Sequence, residues 1–268
     1  MDFPKTVTNV LNSREDLLRE ARATIDRLKA DYEQFRKMPT LSINLMLKRT
    51  VDNDQFYKKI TIEWFEEARR RHPKFKVIRE LEWGVAVAIL PRTFDDYFMY
   101  IEASARRNYK KAKRNGYTFS KLDINKYLDD VREIRQSTDV RQGKVPEDLM
   151  YGEIERNTNP PSRNHYHDYP YVGVFKDGKL VAYASAFVGG EVCSLEHILG
   201  HADYQSDGIV PMMIIGLAEV LYKEHPAVRY FMYGTYFGAG KTLRRYKKKF
   251  RFYPHHVYWM LDARETSP

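Results

Sequence analysis

Cysteine is nearly absent from this chain of 268 residues, since Cys193 is its only one. A single thiol excludes an internal disulfide and a zinc site built from several thiolates. The chain also lacks an apolar run of about 20 residues, which is the length that a helix needs to cross a bilayer. No signal-peptide pattern follows Met1-Asp-Phe-Pro. We therefore expect a protein without transmembrane helices, located in the cytoplasm.

Acidic residues are too few to balance the basic ones. The chain has 45 Lys and Arg against 36 Asp and Glu, which gives a formal net charge of +9. This sign favours a polyanionic partner, such as RNA, DNA, an anionic membrane surface or a phosphorylated cofactor. Hydrophobic residues make up 43% of the chain, enough to bury a substantial core, so we expect a globular protein.

The hydrophobic pattern divides the chain into three segments. Apolar residues recur at helical spacing until Pro39, which predicts an N-terminal amphipathic helix within residues 1–38. Such a helix packs on the rest of the domain or on a second copy, as in a homodimer. Residues 39–115 have a strand, helix, strand, strand order that is repeated in coarse form near the C-terminus, so we interpret them as a degenerate half-repeat. Residues 116–268 form the third segment.

A strongly basic helix is predicted over residues 93–115. Six positive charges fall within nine residues just before Gly116 stops the helix: Arg106, Arg107, Lys110, Lys111, Lys113 and Arg114. Such a run is typical of a solvated surface. Because like charges so close together repel each other, a phosphate-rich ligand is the second interpretation.

The second half of the chain alternates strands and helices. The turn Asp177-Gly178 joins two strand patterns in a predicted hairpin, and residues 192–200 form the next strand. A polar turn follows and leads into an apolar helix that ends near Lys223. The order after it is an aromatic strand, a Gly-bearing turn, a short basic helix ending near Phe250, and a closing strand. The pattern indicates an antiparallel meander followed by strand, helix and strand in the same sheet.

Three of these segments resemble, in the right order, elements of the Fem-type aminoacyltransferases and lysyl-phosphatidylglycerol synthases within the GNAT acyltransferase superfamily. Residues 246–250, Tyr-Lys-Lys-Lys-Phe, are similar to the (Phe/Tyr)-Lys-x-x-(Phe/Trp) helix of that branch. The basic segment 106–116 is similar to its Arg-x-x-x-x-Lys-Ala-x-(Lys/Arg)-x-Gly helix. The turn at 205–212 resembles the Gln/Arg-x-x-Gly-x-Gly/Ala pyrophosphate turn of GNAT enzymes, which Gln205 and Gly208 match and Val210 does not.

The resemblance implies a GNAT-like α/β fold, with a mixed, mostly antiparallel twisted sheet flanked by helices. It also implies transfer of an acyl or aminoacyl group from aminoacyl-tRNA or acyl-CoA to an amine or hydroxyl of a small molecule, peptide or nucleobase. The β-branched Val210 narrows the room for the pyrophosphate of coenzyme A, whereas the basic helix fits tRNA or another polyanion. A noncatalytic nucleic-acid-binding protein and a nucleobase-modifying acyltransferase on the same fold are the alternatives.

The same resemblance implies roles for particular residues. Lys247 matches the family's helix lysine and would stabilise an oxyanion or bind donor phosphate. The alternative is that it is one of three adjacent lysines exposed to solvent, with no role in the reaction. Glu196 is the first choice for the proton acceptor, and strand alternation is expected to send Glu196 and His197 to opposite faces.

The remaining expected contacts fall into three sets. Substrate contacts are expected from Arg141 and Tyr236, on their positions alone, and from His197. Donor phosphates are expected at the six cations of the basic helix. The donor turn comprises Gln205, Gly208, Ile209, Val210, Pro211 and Met212. We predict no metal, because His165, His167 and Asp168 have no further His or Cys at ligand spacing.

Overall fold

The computed structural model describes residues 32–51, 54–71, 79–140 and 145–262, together with seven helical residues between positions 19 and 30. The chain divides into two compact units, Met1–Pro39 and the part from Thr40 onward. In the first unit the described residues up to position 36 are helical, with Ile25 and Tyr32 exposed. The first of the two strands expected after the helix of the half-repeat, over residues 75–81, falls mostly outside the described residues.

The second unit is built from nine described strands and seven described α-helices. The strands are β1 (Thr40–Asn44), β2 (Trp83–Ile89), β3 (Thr118–Lys121), β4 (His167–Asp168), β5 (Tyr171–Lys176), β6 (Lys179–Gly189), β7 (Val192–Gly200), β8 (Tyr230–Thr235) and β9 (Tyr253–Met260). The helices are α1 (Gln55–Ala68), α2 (Phe94–Tyr100), α3 (Ala103–Arg114), α4 (Leu128–Gln136), α5 (Glu147–Tyr151), α6 (Ile209–Glu224) and α7 (Lys241–Lys249). Short 3-10 helices cover Leu47–Arg49, Ile124–Lys126 and Ala202–Asp207.

All nine described strands join one mixed sheet. The order is β1-β9-β2-β8-β7-β6-β5-β3, and β4 pairs with the end of β6. Two neighbouring pairs, β1 with β9 and β7 with β8, are parallel, and the others are antiparallel. The expected mixed, mostly antiparallel sheet flanked by helices is confirmed.

Strands from the first half of the chain lie among those of the second half. β9 lies between β1 and β2, and β2 lies between β9 and β8. The boundary expected between residues 115 and 116 therefore does not separate two sheets. The half-repeat itself stays a prediction.

The two faces of the sheet carry separate cores because side chains alternate along each strand. On β6, Ala184 and Ala186 join a large core with residues of α2, α3 and α6 and with Phe250 at the end of α7. On the other face, Phe187 packs with residues of α1, and Tyr183 with residues of α4. Helices thus cover both faces.

The single basic helix predicted over residues 93–115 is wrong, because the chain breaks between α2 and α3. Ile101 is extended, with φ −66° and ψ 159°. Its side chain is buried in the larger core, and no glycine or proline marks the break. The Arg106 guanidinium donates to the carbonyls of Met99 at 2.5 Å and Ile101 at 2.8 Å, which satisfies the carbonyl groups freed there. One of the six cations is therefore used inside the fold.

The turn before α6 requires a glycine. Gly208 has φ +86°, and a Cβ atom built there would lie 2.4 Å from the carbonyl oxygen of Asn108 in α3. The backbones of α3 and of the start of α6 thus approach more closely than any side chain would permit.

We predict that Gly208→Ala destabilises the protein more than Gly178→Ala. Both glycines are left-handed, with φ +86° and +81°, but nothing lies within 4 Å of a Cβ atom at Gly178. Gly178→Ala should cost about 1 kcal/mol of backbone strain, and Gly208→Ala about 3 kcal/mol, because α3 must move as well. Urea unfolding measures both, and equal losses would contradict the close approach of the two helices.

Candidate active site

The sheet opens between its two central parallel strands. β7 and β8 pair only at residues 192–194 with 230–232. β7 continues to Gly200 and β8 to Thr235, so the two strands diverge toward their C-terminal ends. The 3-10 helix and α6 follow directly after β7, which places the start of α6 beside the opening.

Lys247 of α7 is buried against the diverging part of β8. Only 3% of this residue is exposed. Its Nζ donates to the carbonyl of Tyr233 at 2.6 Å and to that of Thr235 at 2.8 Å, and lies 4.6 Å from the centre of the Tyr233 ring. Both carbonyls belong to the part of β8 that no longer pairs with β7. Lys247 therefore binds the strand where its pairing with β7 has ended.

The charge of Lys247 is destabilised by this environment. Burial lowers the pKa of its ammonium group from 10.5 to about 8. Two of the three ammonium donors are taken by the neutral carbonyls of Tyr233 and Thr235. One donor remains for another acceptor.

Glu196 and His197 lie on the same face of the sheet, so the expectation of opposite faces is wrong. The β6 and β7 register shifts from Ser185 with His197 to Ala186 with Leu195, which leaves Glu196 as the extra residue of a bulge. A bulge breaks the alternation of side chains. Sequence alternation alone cannot reveal it.

The residues around this bulge form a polar group that we call the β7 cluster: Tyr169, Ser185, Glu196 and His197. Glu196 Oε1 accepts a hydrogen bond from Trp64 Nε1 at 3.3 Å. Ser185 Oγ and His197 Nδ1 lie 3.3 Å apart. Burial raises the pKa of Tyr169 to about 12, and Ser185 and Glu196 are its polar neighbours. The cluster brings a carboxylate and an imidazole to the strand that borders the opening.

Three members of this environment were missed by sequence reasoning. Tyr169, Ser185 and Trp64 carry no motif, and they come from a loop, from β6 and from α1. The ring of Trp64 stacks on Phe187 at 5.1 Å and forms the apolar wall next to Glu196. Only the sheet order and the packing of α1 bring these residues together.

The donor turn is present, but most of its side chains face inward. Ile209 and Met212 are 0% and 2% exposed and belong to the core, and Pro211 is also buried. Gln205 is exposed and Val210 is partly exposed. Apart from Gln205 and Val210, the turn offers a ligand mainly backbone groups.

The residues predicted to bind substrate lie in different environments. Tyr236 is 2% exposed and packs in the larger core, with the Arg244 guanidinium 5.6 Å from its ring centre. Arg141 lies outside the described residues. His197 is exposed and belongs to the β7 cluster.

The cations of α3 divide into two groups. Arg106 caps α2, and Lys111 Nζ donates to the carbonyl of Ser206 at 2.9 Å and lies 3.3 Å from the carboxylate of Asp207. Four others have exposed side chains: Arg107, Lys110, Lys113 and Arg114. The Lys113 ammonium lies 4.7 Å from the Tyr109 ring centre.

No metal-binding group of three or more His, Cys, Asp or Glu residues is found within the described part of the chain. His167 Nε2 instead lies 2.9 Å from the carbonyl oxygen of Leu45. A search of the described helices finds none with the length and apolarity to cross a membrane.

Comparison with solved structures identifies the fold. FemX superposes with a TM-score of 0.50 at 10% identity, covering 66% of this chain and 60% of FemX. L-PGS from Bacillus licheniformis gives 0.41 at 15%, covering 65% and 58%, and a GCN5-related N-acetyltransferase from Kribbella flavida gives 0.35 at 12%, covering 64% and 54%. The chain thus spans less than two thirds of each.

The superposition on FemX agrees with the fold that the sequence resemblance implied. The protein has the GNAT-like fold of FemX, a mixed sheet with diverging parallel strands flanked by helices. No protein-family model matches the sequence, and comparison with curated proteins gives no match.

Lys247 should give the protein a distinctive dependence of stability on pH. Because its pKa is about 8 in the folded state, against an ordinary value of 10.5 for the unfolded chain, the unfolded chain binds more protons between these values, and stability rises with pH across that window. We expect the free energy of unfolding of the natural protein, relative to Lys247→Met, to increase by about 2 kcal/mol from pH 7 to 9.5. Urea unfolding of both proteins at several pH values measures it. A constant difference would contradict the lowered pKa.

Proposed function

We propose that the protein is an acyltransferase that moves an aminoacyl or acyl group from a carrier to an amine or hydroxyl. The observation that carries this proposal is the opening between β7 and β8, with Lys247 bound to one strand and Glu196 and His197 placed on the other. The opening provides a passage for a carrier-linked carbonyl, and the two strands supply a cation and proton acceptors.

The chemistry follows from these groups. The acceptor's nitrogen or oxygen attacks the ester or thioester carbonyl, which forms a tetrahedral oxyanion, and collapse of this intermediate releases the carrier's hydroxyl or thiol. The remaining donor of Lys247 stabilises the oxyanion or holds a donor phosphate. The acceptor's proton passes to a base on β7 and then to the leaving group.

Glu196 is the first choice for that base, and His197 is the second. Glu196 is exposed and carries only the hydrogen bond from Trp64 among its described contacts. When His197 Nδ1 carries the hydrogen and donates it to Ser185 Oγ, Nε2 is the basic atom. The two side chains share one face, which supports considering both as bases for the same acceptor.

Aminoacyl-tRNA is the donor that the contacts favour over acyl-CoA. A pyrophosphate needs free N–H groups at the start of a helix. Pro211 has no N–H, and the Asn108 backbone lies against Gly208. The four exposed cations of α3, by contrast, suit a phosphate backbone.

Transfer itself is the decisive test. Bulk tRNA charged with labelled amino acids and labelled acetyl-CoA are each incubated with the protein and a small-molecule and peptide extract, and labelled products are identified by mass spectrometry. We expect label transfer from aminoacyl-tRNA, reduced about 100-fold in Lys247→Met. Lys249→Met, on the same helix, is the matched control and should stay near the natural rate.

The same assay separates the two bases and the alternative functions. Loss of the base slows transfer, so Glu196→Gln should lower the rate about 100-fold, whereas His197→Gln should leave it near the natural rate. An unchanged rate in folded Lys247→Met would remove the role of Lys247. Absence of transfer from both donors, with retained RNA binding, would instead favour the noncatalytic nucleic-acid-binding protein.

The exposed cations of α3 should set the salt dependence of tRNA binding. Replacing Arg107, Lys110 and Arg114 by Gln should lower the slope of log affinity against log salt by about 2 to 3. The control replaces Lys58, Lys59 and Arg70, which are exposed on or just after α1, and removes the same charge. Equal slopes for the two triple variants would show that α3 does not contact the RNA.

A further inference from the structure

A second cavity lies away from the opening between β7 and β8. Its volume is about 550 Å³, which is within the range of small-molecule sites. It is formed where β2 ends, β8 begins and α6 terminates. About half of its lining is apolar, contributed by residues such as Ile89, Leu90, Leu221, Pro226 and Val228.

The cavity is distinct from the proposed transfer site. It is lined by Tyr230, the first residue of β8, whereas Lys247 binds the carbonyl of Thr235 at the other end of that strand. Five residues of extended strand separate the two, a distance of about 17 Å. A ligand here would not occupy the opening.

Two arginine residues contribute to the lining of this cavity. Arg92 and Arg229 both line it, and both are exposed. Their approach is set by the backbone, because Ile89 pairs with Tyr230 and the Leu90 N–H donates to the carbonyl of Arg229 at 2.8 Å. The sheet register therefore brings the two residues to the same end of the sheet.

The nearby carboxylates are bound elsewhere. Asp96 Oδ2 accepts a hydrogen bond from Thr93 Oγ1 at 2.7 Å, and Glu191 Oε2 accepts one from the Asn44 N–H at 3.0 Å. Among the described contacts, neither Arg92 nor Arg229 has an ion-pair partner. The cavity thus combines apolar side chains with two arginines that have no described ion pair.

His225 lines the inner wall of the cavity, and both of its ring nitrogens lie near oxygen atoms of the protein. This buried residue has Nδ1 3.0 Å from the carbonyl oxygen of His165, and Nε2 3.4 Å from Asp168 Oδ2. Asp168 also lies 3.4 Å from Lys121 Nζ. Since both ring nitrogens face oxygen atoms, a ligand's charged group is left to the arginines.

The end of α6 limits the charge of the ligand. Glu224 is its last residue and His225 its C-cap, so the partial negative charge of the helix C-terminus lies at the cavity. This disfavours a doubly charged phosphate more than a singly charged carboxylate. An arginine fork matches a carboxylate in shape and charge.

We propose that this cavity binds an organic carboxylate with an apolar tail. Arg92 and Arg229 hold the carboxylate, and the apolar walls around Leu90 and Val228 bury the tail. The site is independent of the proposed transfer reaction and requires none of its residues.

Calorimetric titration of the full chain with phenylbutyrate tests the proposal, with phenylbutanol and phenylbutyl phosphate as comparison probes. We expect phenylbutyrate to bind, phenylbutanol to bind at least tenfold more weakly, and the double variant Arg92→Gln, Arg229→Gln to lose roughly tenfold or more in phenylbutyrate affinity. Arg132→Gln on α4, remote from the cavity, should bind like the natural protein.

A second variant tests the wall. Ile89 is 50% exposed at the cavity, so Ile89→Glu is compatible with folding, and it should weaken phenylbutyrate more than phenylbutanol, because the added carboxylate repels only the charged probe. Equal binding of phenylbutyrate by the natural protein and the double arginine variant would overturn the proposal. So would tighter binding of the phosphate probe, since it would assign the site to phosphates, or no binding of phenylbutyrate at all.

Discussion

The constraint on which the site depends is that two parallel strands stop pairing after three residues. β7 and β8 separate beyond Ser194 and Met232, and the carbonyls of Tyr233 and Thr235 are bound by a lysine instead of by the neighbouring strand. Burying that ammonium group costs about 3 kcal/mol by its lowered pKa. This cost is the consequence of holding a cation in a fixed position at the edge of β8 that β7 does not cover.

Some basic residues bind other parts of the protein, whereas others are exposed to solvent. Arg106 ends one helix, Lys111 binds the loop at Asp207, and Lys247 binds a strand. The exposed cations of α3 have no such structural task among their described contacts, apart from the aromatic contact of Lys113. The excess of basic residues in the composition therefore cannot be assigned as a whole to one partner. The role of each cation is assigned from the contacts of that residue.

Much of the fold followed from the sequence, because its signals are local. The hairpin of β5 and β6, the strand β7 and the apolar helix α6 lie close to their predicted places. The break at Ile101 and the bulge at Glu196 did not follow, since both are set by packing against distant elements. The burial of Lys247 among three adjacent lysines was equally invisible, because only the rotation of α7 on the sheet selects it.

The position of β9 between β1 and β2 has a consequence for how the chain reaches its native state. Thr40 pairs with His256, so β1 gains its neighbour only when the last strand of the sheet has been synthesised. Contacts over such long separations slow folding and leave strand edges open to association with other chains. On the ribosome, β1 must remain without this partner until the residues of β9 have emerged.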